Sequence, residues 1–112
     1  MKLLGRGLET FFDEKRIKKS FVKENNNIEE LYEKAKEFDI KGNYLMAFHY
    51  YMLVSNSNAS NTIKAKALNN AAILLAEHEF ESEAIEFLEK GFKIDPNNME
   101  ISENLKILRG SE

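Results

Sequence analysis

Two stretches of this 112-residue chain repeat one helical pattern. Apolar residues recur at spacings of three and four from Leu31 to Phe38, and again from Leu68 to Leu75. A second apolar pattern follows each stretch, around Ala47 and around Ala84. This spacing places the apolar side chains on one face of a helix. Helix pairs that repeat bury their shared faces by stacking and leave a groove, so the pattern favours a binding scaffold over a reaction centre.

The rest of the chain also favours helix over strand. It contains one proline, Pro96, is rich in Ala, Leu, Glu and Lys, and has no run that alternates apolar and polar residues. We therefore expect an all-α protein of one domain, whose 43% hydrophobic content is enough for a single core. The predicted helices cover 28–41, 44–55, a stretch from an N-cap at Asn61 or Thr62 to Glu77, 81–94, and a last stretch from Met99 to just before Gly110.

The spaced residues resemble those of the tetratricopeptide repeat. That motif has a large, a leucine, a small and an aromatic position on its first helix, then an alanine and an aromatic on its second helix, and a closing proline. Residues 65–98 match it through Leu68, Ala71, Ala72, Leu75, Ala84, Leu88, Gly91 and the closing Asp95-Pro96-Asn97-Asn98. Residues 28–61 match it through Leu31, Ala35, Phe38, Gly42, Tyr44, Ala47, Tyr51 and Val54.

The chain also departs from that motif. Ala59 replaces the first closing proline, Glu79 takes the place of the second turn glycine, and residues 62–64 are extra. As a result, Ala47 and Ala84 are 37 residues apart, where about 34 is usual. We expect an irregular second step in the stack. The small residues Ala35, Ala47, Ala72 and Ala84 are expected where paired helices cross closely.

The resemblance implies a right-handed superhelical stack of helical hairpins. Its parts would be a basic N-terminal arm or helix at 1–27, repeat one at 28–61, repeat two at 62–98, and a capping helix with a tail at 99–112. It also implies a concave surface lined mainly by the first helix of each repeat. The residues expected to bind a partner there are Tyr32, Lys36, Asp39, Lys66, Asn69, Asn70, Ile73, Glu77 and Asn104.

The polar residues of this surface suggest what it contacts. Asparagine has a poor helix propensity, so adjacent Asn69 and Asn70 suggest amides that bond the backbone of a bound peptide, with simple exposure to water as the alternative. Chaperone-binding members of the family clamp a partner's terminal carboxylate with lysines and asparagines. Only part of that set is present, and Lys36, Lys66 and Asn70 are expected to hold at most one acidic group.

Charge separates the N-terminal arm from the rest of the chain. Residues 1–27 hold seven basic and four acidic side chains, a net charge of +3, whereas the remainder holds nine basic and fifteen acidic, a net charge of −6. An acidic body is a poor nucleic-acid binder, so no nucleic-acid partner is expected. We predict a helix near Leu8–Lys23, with Leu4, Leu8, Phe11 and Phe12 on one face. It would cover repeat one or dock on a partner or an anionic surface.

Catalytic, metal and membrane functions find little support. The chain has no cysteine, and neither His49 nor His78 has a neighbour with nucleophile or zinc-ligand spacing. We therefore expect no enzyme activity, no cofactor and no metal site. The apolar start of the chain is interrupted from Gly5 onward, which is too soon for a signal peptide, and no apolar run could span a membrane. The prediction is a cytoplasmic, noncatalytic adaptor that binds a protein or peptide. The alternative is a scaffold subunit that self-assembles through its repeat ends or its N-terminal arm.

Overall fold

The computed structural model describes residues 27–110, which form five α-helices and contain no strand. Helix α1 spans Ile28–Ile40, α2 spans Tyr44–Ser55, α3 spans Asn61–Glu77, α4 spans Glu81–Ile94 and α5 spans Met99–Gly110. These bounds agree with the prediction to within two residues, and the all-α class is confirmed over this part of the chain. The predicted helix at Leu8–Lys23, with its apolar face of Leu4, Leu8, Phe11 and Phe12, lies outside the described residues.

Asparagine and serine side chains begin the first three helices. The side chain of Asn27 accepts hydrogen bonds from the backbone amides of Glu29 and Glu30, and Asn43 caps α2 in the same way. The N-cap of α3 is Ser60, whose hydroxyl accepts from the amide of Ile63. The prediction of an N-cap at Asn61 or Thr62 was therefore wrong by one or two residues. Ser60 has the extended backbone that an N-cap requires, whereas the helix has already begun at Asn61.

The turn between α1 and α2 is built around Gly42. Its amide donates to the carbonyl of Asp39 at 3.0 Å, and the amide of Asn43 donates to the carbonyl of Phe38 at 2.9 Å. This pair of bonds is the Schellman motif, which needs a residue with positive φ just after the helix. Gly42 supplies it with a φ of 84°, without the steric cost that a Cβ would bring.

The turn between α3 and α4 has the same hydrogen bonds without a glycine. The amide of Glu79 donates to the carbonyl of Ala76 at 3.0 Å, and the amide of Phe80 donates to the carbonyl of Leu75 at 2.8 Å. Glu79 holds a φ of 72°, which is unfavourable for a residue with a side chain. The chain therefore makes the same turn twice, 37 residues apart, and carries backbone strain only in the second copy.

The core also repeats at this interval. Several residues are buried in the first hairpin, α1–α2, and their counterparts 37 positions later are buried in the second, α3–α4. The four alanines predicted at close helix crossings are fully buried, which is consistent with helices that approach closely. The buried pairs are Leu31 and Leu68, Ala35 and Ala72, Ala47 and Ala84, Tyr51 and Leu88, and Val54 and Gly91.

Helix α5 closes the described part of the chain. Ile101 and Leu105 are buried against the second hairpin, and Arg109 pairs with Glu89 of α4. Met99, the first residue of this helix, is 79% exposed. Each helix packs chiefly on the next one in the chain. Within residues 27–110, no helix combines the length and the apolar character that crossing a membrane would need.

Candidate functional site

A polar cavity of about 570 Å³ lies between α1 and α3. Helices α2 and α5 each add one residue to its wall, so four of the five helices contribute to it. The nine predicted partner-binding residues include five that the structure brings together here. The lining residues are Tyr32, Lys36, Asp39, Ile40, Tyr51, Lys66, Asn70 and Glu100.

Two tyrosines form the apolar part of this polar cavity. The rings of Tyr32 and Tyr51 lie 6.1 Å apart and are tilted by 58°. Asn70 Nδ2 donates to the Tyr32 hydroxyl at 3.1 Å, and the Tyr51 hydroxyl donates to Asp39 Oδ2 at 2.9 Å. These bonds tie α3 to α1 and α2 to α1. The wall is therefore held in place before any ligand arrives, which lowers the entropy cost of binding.

Charges of both signs surround the tyrosines. Lys36 Nζ lies 5.3 Å from the centre of the Tyr32 ring and 3.6 Å from Glu33 Oε2. Lys66 is exposed on the α3 side, and Asp39 and Glu100 bring carboxylates to the same cavity. This arrangement suits a ligand that both donates and accepts hydrogen bonds, as a peptide backbone does, better than one with charge of a single sign.

The tyrosine hydroxyls stay protonated at neutral pH. Burial raises the pKa of Tyr32, nearby Glu100 and Glu33 raise it further, and the hydrogen bond from Asn70 acts in the opposite direction. Burial also raises the pKa of Tyr51, and its hydrogen bond and charge interaction with Asp39 add to the effect. Neither hydroxyl is prepared to act as a base or nucleophile, so both are suited to hydrogen bonding.

A smaller, mostly apolar cavity of about 250 Å³ lies between α3 and α5. Three further predicted residues, Ile73, Glu77 and Asn104, line it. Eight of the nine candidates are therefore divided between two cavities that share α3 as a wall. The other residues around the smaller cavity are Ala72, Ala76, Leu88, Ile107 and Leu108.

Asn69 is the exception among the predicted surface residues. It is only 2% exposed, so its predicted place on the open surface was wrong. Its Nδ2 donates to Glu100 Oε1 at 3.4 Å, and its Oδ1 accepts from Asn104 Nδ2 at 2.9 Å. Asn69 therefore joins α3 to α5, whereas adjacent Asn70 points into the polar cavity. One position along a helix is a rotation of about 100°, enough to separate these two roles.

A third cavity, of about 370 Å³, was not predicted. It lies at the hairpin turns, away from the candidate residues, where the α1–α2 turn meets the end of α3. No pattern in the sequence marks its residues as a site. At its edge, the rings of Tyr44 and His78 are 5.2 Å apart in an edge-on contact. The lining residues are Gly42, Asn43, Tyr44, Leu45, Phe48, Leu74, Leu75 and His78.

The histidines do not form a metal-binding group in the part of the chain that is described. Among residues 27–110, no three His, Asp or Glu side chains converge as metal ligands would. His49 is half-buried on α2, and burial lowers its pKa. His78 Nδ1 lies 2.9 Å from the carbonyl of Leu74 within its own helix turn.

Fold and cavities together define a class: an all-α protein of consecutive helical hairpins with a polar and an apolar cavity along one helix. No model of a known protein family matches the chain. No curated protein is similar enough to count as a match. The resemblance to tetratricopeptide repeats therefore depends on the spaced residues themselves.

Proposed function

We propose that the chain is a noncatalytic adaptor of the tetratricopeptide-repeat type, which binds a partner's peptide or helix along α3. Four residues on one side of that helix support the proposal. Lys66 and Asn70 line the polar cavity, and Ile73 and Glu77 line the apolar one. Their spacings of four, three and four residues place them in a single row on the helix.

This row sets the size of the ligand. From Lys66 to Glu77, α3 rises by roughly 16 Å, at 1.5 Å per residue. An extended peptide advances about 3.3 Å per residue, so roughly five of its residues would lie along the row. In the polar cavity, Asn70, the lysines and the carboxylates would bind the backbone and polar side chains of the peptide. The apolar cavity beside Ile73 would take one aliphatic or aromatic side chain.

The test is selection of ligands from a displayed library of random 12-residue peptides on the full chain. Peptides that bind are then measured against a Lys66→Ala, Asn70→Ala double variant. Loss of a charged and an amide contact is expected to weaken binding by about 2 kcal/mol or more, roughly thirtyfold. Selected peptides should also carry an apolar residue for the cavity beside Ile73.

The matched control is Lys93→Ala with Asn97→Ala, which removes the same two residue types outside the cavities. Its affinity for the peptides should equal that of the unchanged chain. Circular dichroism and thermal melts of both variants separate lost binding from lost structure. If the two double variants bind alike, the ligand does not use this row and the proposal fails.

Self-assembly is the second candidate, and the end of the molecule formed by α5 favours it. Met99 is 79% exposed and Ile107 is 58% exposed, so the last helix presents apolar side chains to solvent. The terminal repeat of a repeat protein normally has a polar outer face, because an apolar outer face would associate with another molecule. Sedimentation over a range of concentrations tests this. A monomer at high concentration rejects it, and an oligomer that Ile107→Glu disperses supports it.

A further inference from the structure

Helix α2 has an unusual composition for a helix near the surface. Its twelve residues, Tyr44–Ser55, include no Asp, Glu, Lys or Arg. Apolar residues are spread around its whole circumference, whereas α4 has a clear apolar face and a charged one. A helix that is apolar on all sides is normally covered on all sides.

The described helices cover one side of α2. Ala47, Tyr51 and Val54 are buried there, in a core cluster shared with α1 and α3. Helical geometry places Met46, His49 and Leu53 in one row away from these residues, with His49 opposite them. We call these three residues the outer stripe of α2, and each of them is half-buried.

The second hairpin shows that the fold does not require apolar residues at these positions. Counterparts of the outer stripe lie 37 residues later, on α4, and they are Glu83, Glu86 and Lys90. Glu86 and Lys90 are exposed. The same place in the hairpin thus carries three charged residues on α4, two of them exposed, but two apolar residues and a histidine on α2. The difference points to a cover that only the first hairpin has.

We propose that this cover is the N-terminal segment of the same chain, residues 8–23, packed as a helix on the outer stripe. The segment is joined directly to the first hairpin, because Asn27 is the N-cap of α1. A helix of sixteen residues is roughly 24 Å long, and the twelve-residue α2 is roughly 18 Å long, so one can lie along the other. Four residues, 24–27, remain for the connection, a common length between antiparallel helices.

The chemistry of the segment matches this position. Leu8, Phe11 and Phe12 share one helical face and would meet Met46 and Leu53. The first 27 residues carry a net charge of +3 and the remainder carries −6, so attraction favours the contact. A tethered segment also acts at an effective concentration near the millimolar range, which a separate partner rarely reaches.

The test uses the absence of cysteine from the chain. A single cysteine is placed in the full chain at Leu53→Cys or, as the exposed counterpart, at Lys90→Cys. The rate of reaction with a thiol reagent is then measured for each. A covered outer stripe should make the cysteine at 53 react at least about tenfold more slowly than the one at 90.

The decisive comparison changes the segment and leaves the hairpin unchanged. Phe11→Asp with Phe12→Asp should raise the reaction rate at 53 to nearly that at 90. Thr10→Asp with Ser20→Asp adds the same charge on the other side of the predicted helix and should leave the protection intact. Circular dichroism confirms that each variant still folds.

Three results would overturn the proposal. The first is equal reaction rates at positions 53 and 90 in the unchanged segment. The second is protection that survives Phe11→Asp with Phe12→Asp. The third is protection that disappears on dilution, because the cover would then be a second copy of the chain.

Discussion

Glu79→Gly tests the strain in the second hairpin turn. Glu79 holds a φ of 72° in the position where Gly42 holds a φ of 84°. A left-handed backbone costs a residue with a side chain about 1–2 kcal/mol, and glycine escapes this cost. Glycine also lowers the stability by about 0.4–1 kcal/mol, because it gives the unfolded chain more conformational entropy to lose on folding. The net expectation is that Glu79→Gly stabilises the protein by about 0.5–1 kcal/mol.

The reverse change at the first turn provides the complementary measurement. A Cβ at Gly42 would meet only the Tyr44 hydroxyl, at 3.9 Å, so Gly42→Ala introduces backbone strain without a clash. It should destabilise the protein by about 1 kcal/mol. Glu79→Ala removes the charge near neighbouring glutamates but keeps the strain, so it isolates the electrostatic part of the effect.

Urea unfolding at pH 7 measures all three variants. A shift in the midpoint with an unchanged slope reports a change in stability alone. For a chain of this length, about 4 °C in melting temperature corresponds to 1 kcal/mol, so Glu79→Gly should raise the midpoint of a thermal scan by about 2–4 °C. If Glu79→Gly and Glu79→Ala have the same stability, the strain of the positive φ does not exceed the entropy cost of glycine, and the expected net stabilisation is refuted.

Two further changes test the polar contacts and the pH dependence. Asn69→Ala should cost about 1–3 kcal/mol in urea unfolding, since it removes a buried side chain and its two hydrogen bonds to α5. Asn70→Ala should cost less, because Asn70 is only half-buried. Equal costs would contradict the separation of their roles. Burial lowers the pKa of His49, so the unfolded chain takes up its proton first as the pH falls below about 6.5. Stability should therefore be complete above that pH and decrease toward the lowered pKa, and His49→Gln should reduce the loss measured between pH 7.5 and 5.5.

The helices could be predicted from the sequence because the spacing of the apolar residues and the positions of helix-breaking residues indicated the same helices. Apolar residues at intervals of three and four defined each helix, and Gly42 and Pro96 marked breaks after helices. The helix start that was predicted wrongly depended on a shift of one or two positions. Ser60 was missed as the N-cap of α3 because Asn61 and Thr62 also suit that role.

The residues that line the two cavities could be predicted only in part. Matching positions to a repeat indicates which side of α3 is open, and Lys66, Asn70, Ile73 and Glu77 do line cavities on that side. Asn69 was placed wrongly because no feature of the sequence distinguishes an amide that faces a ligand from one that joins two helices. The Tyr51 hydroxyl was missed because a residue that is 1% exposed overall looks like a core residue in sequence.

The sequential packing of the five helices also determines how the molecule opens. Because each helix contacts chiefly its neighbour in the chain, few contacts must form between distant residues, and folding can begin within either hairpin. Opening should start from an end, and α5 can detach while both hairpins remain closed. Since α5 forms one wall of the apolar cavity, amide hydrogen exchange in α5 would report how often that cavity opens.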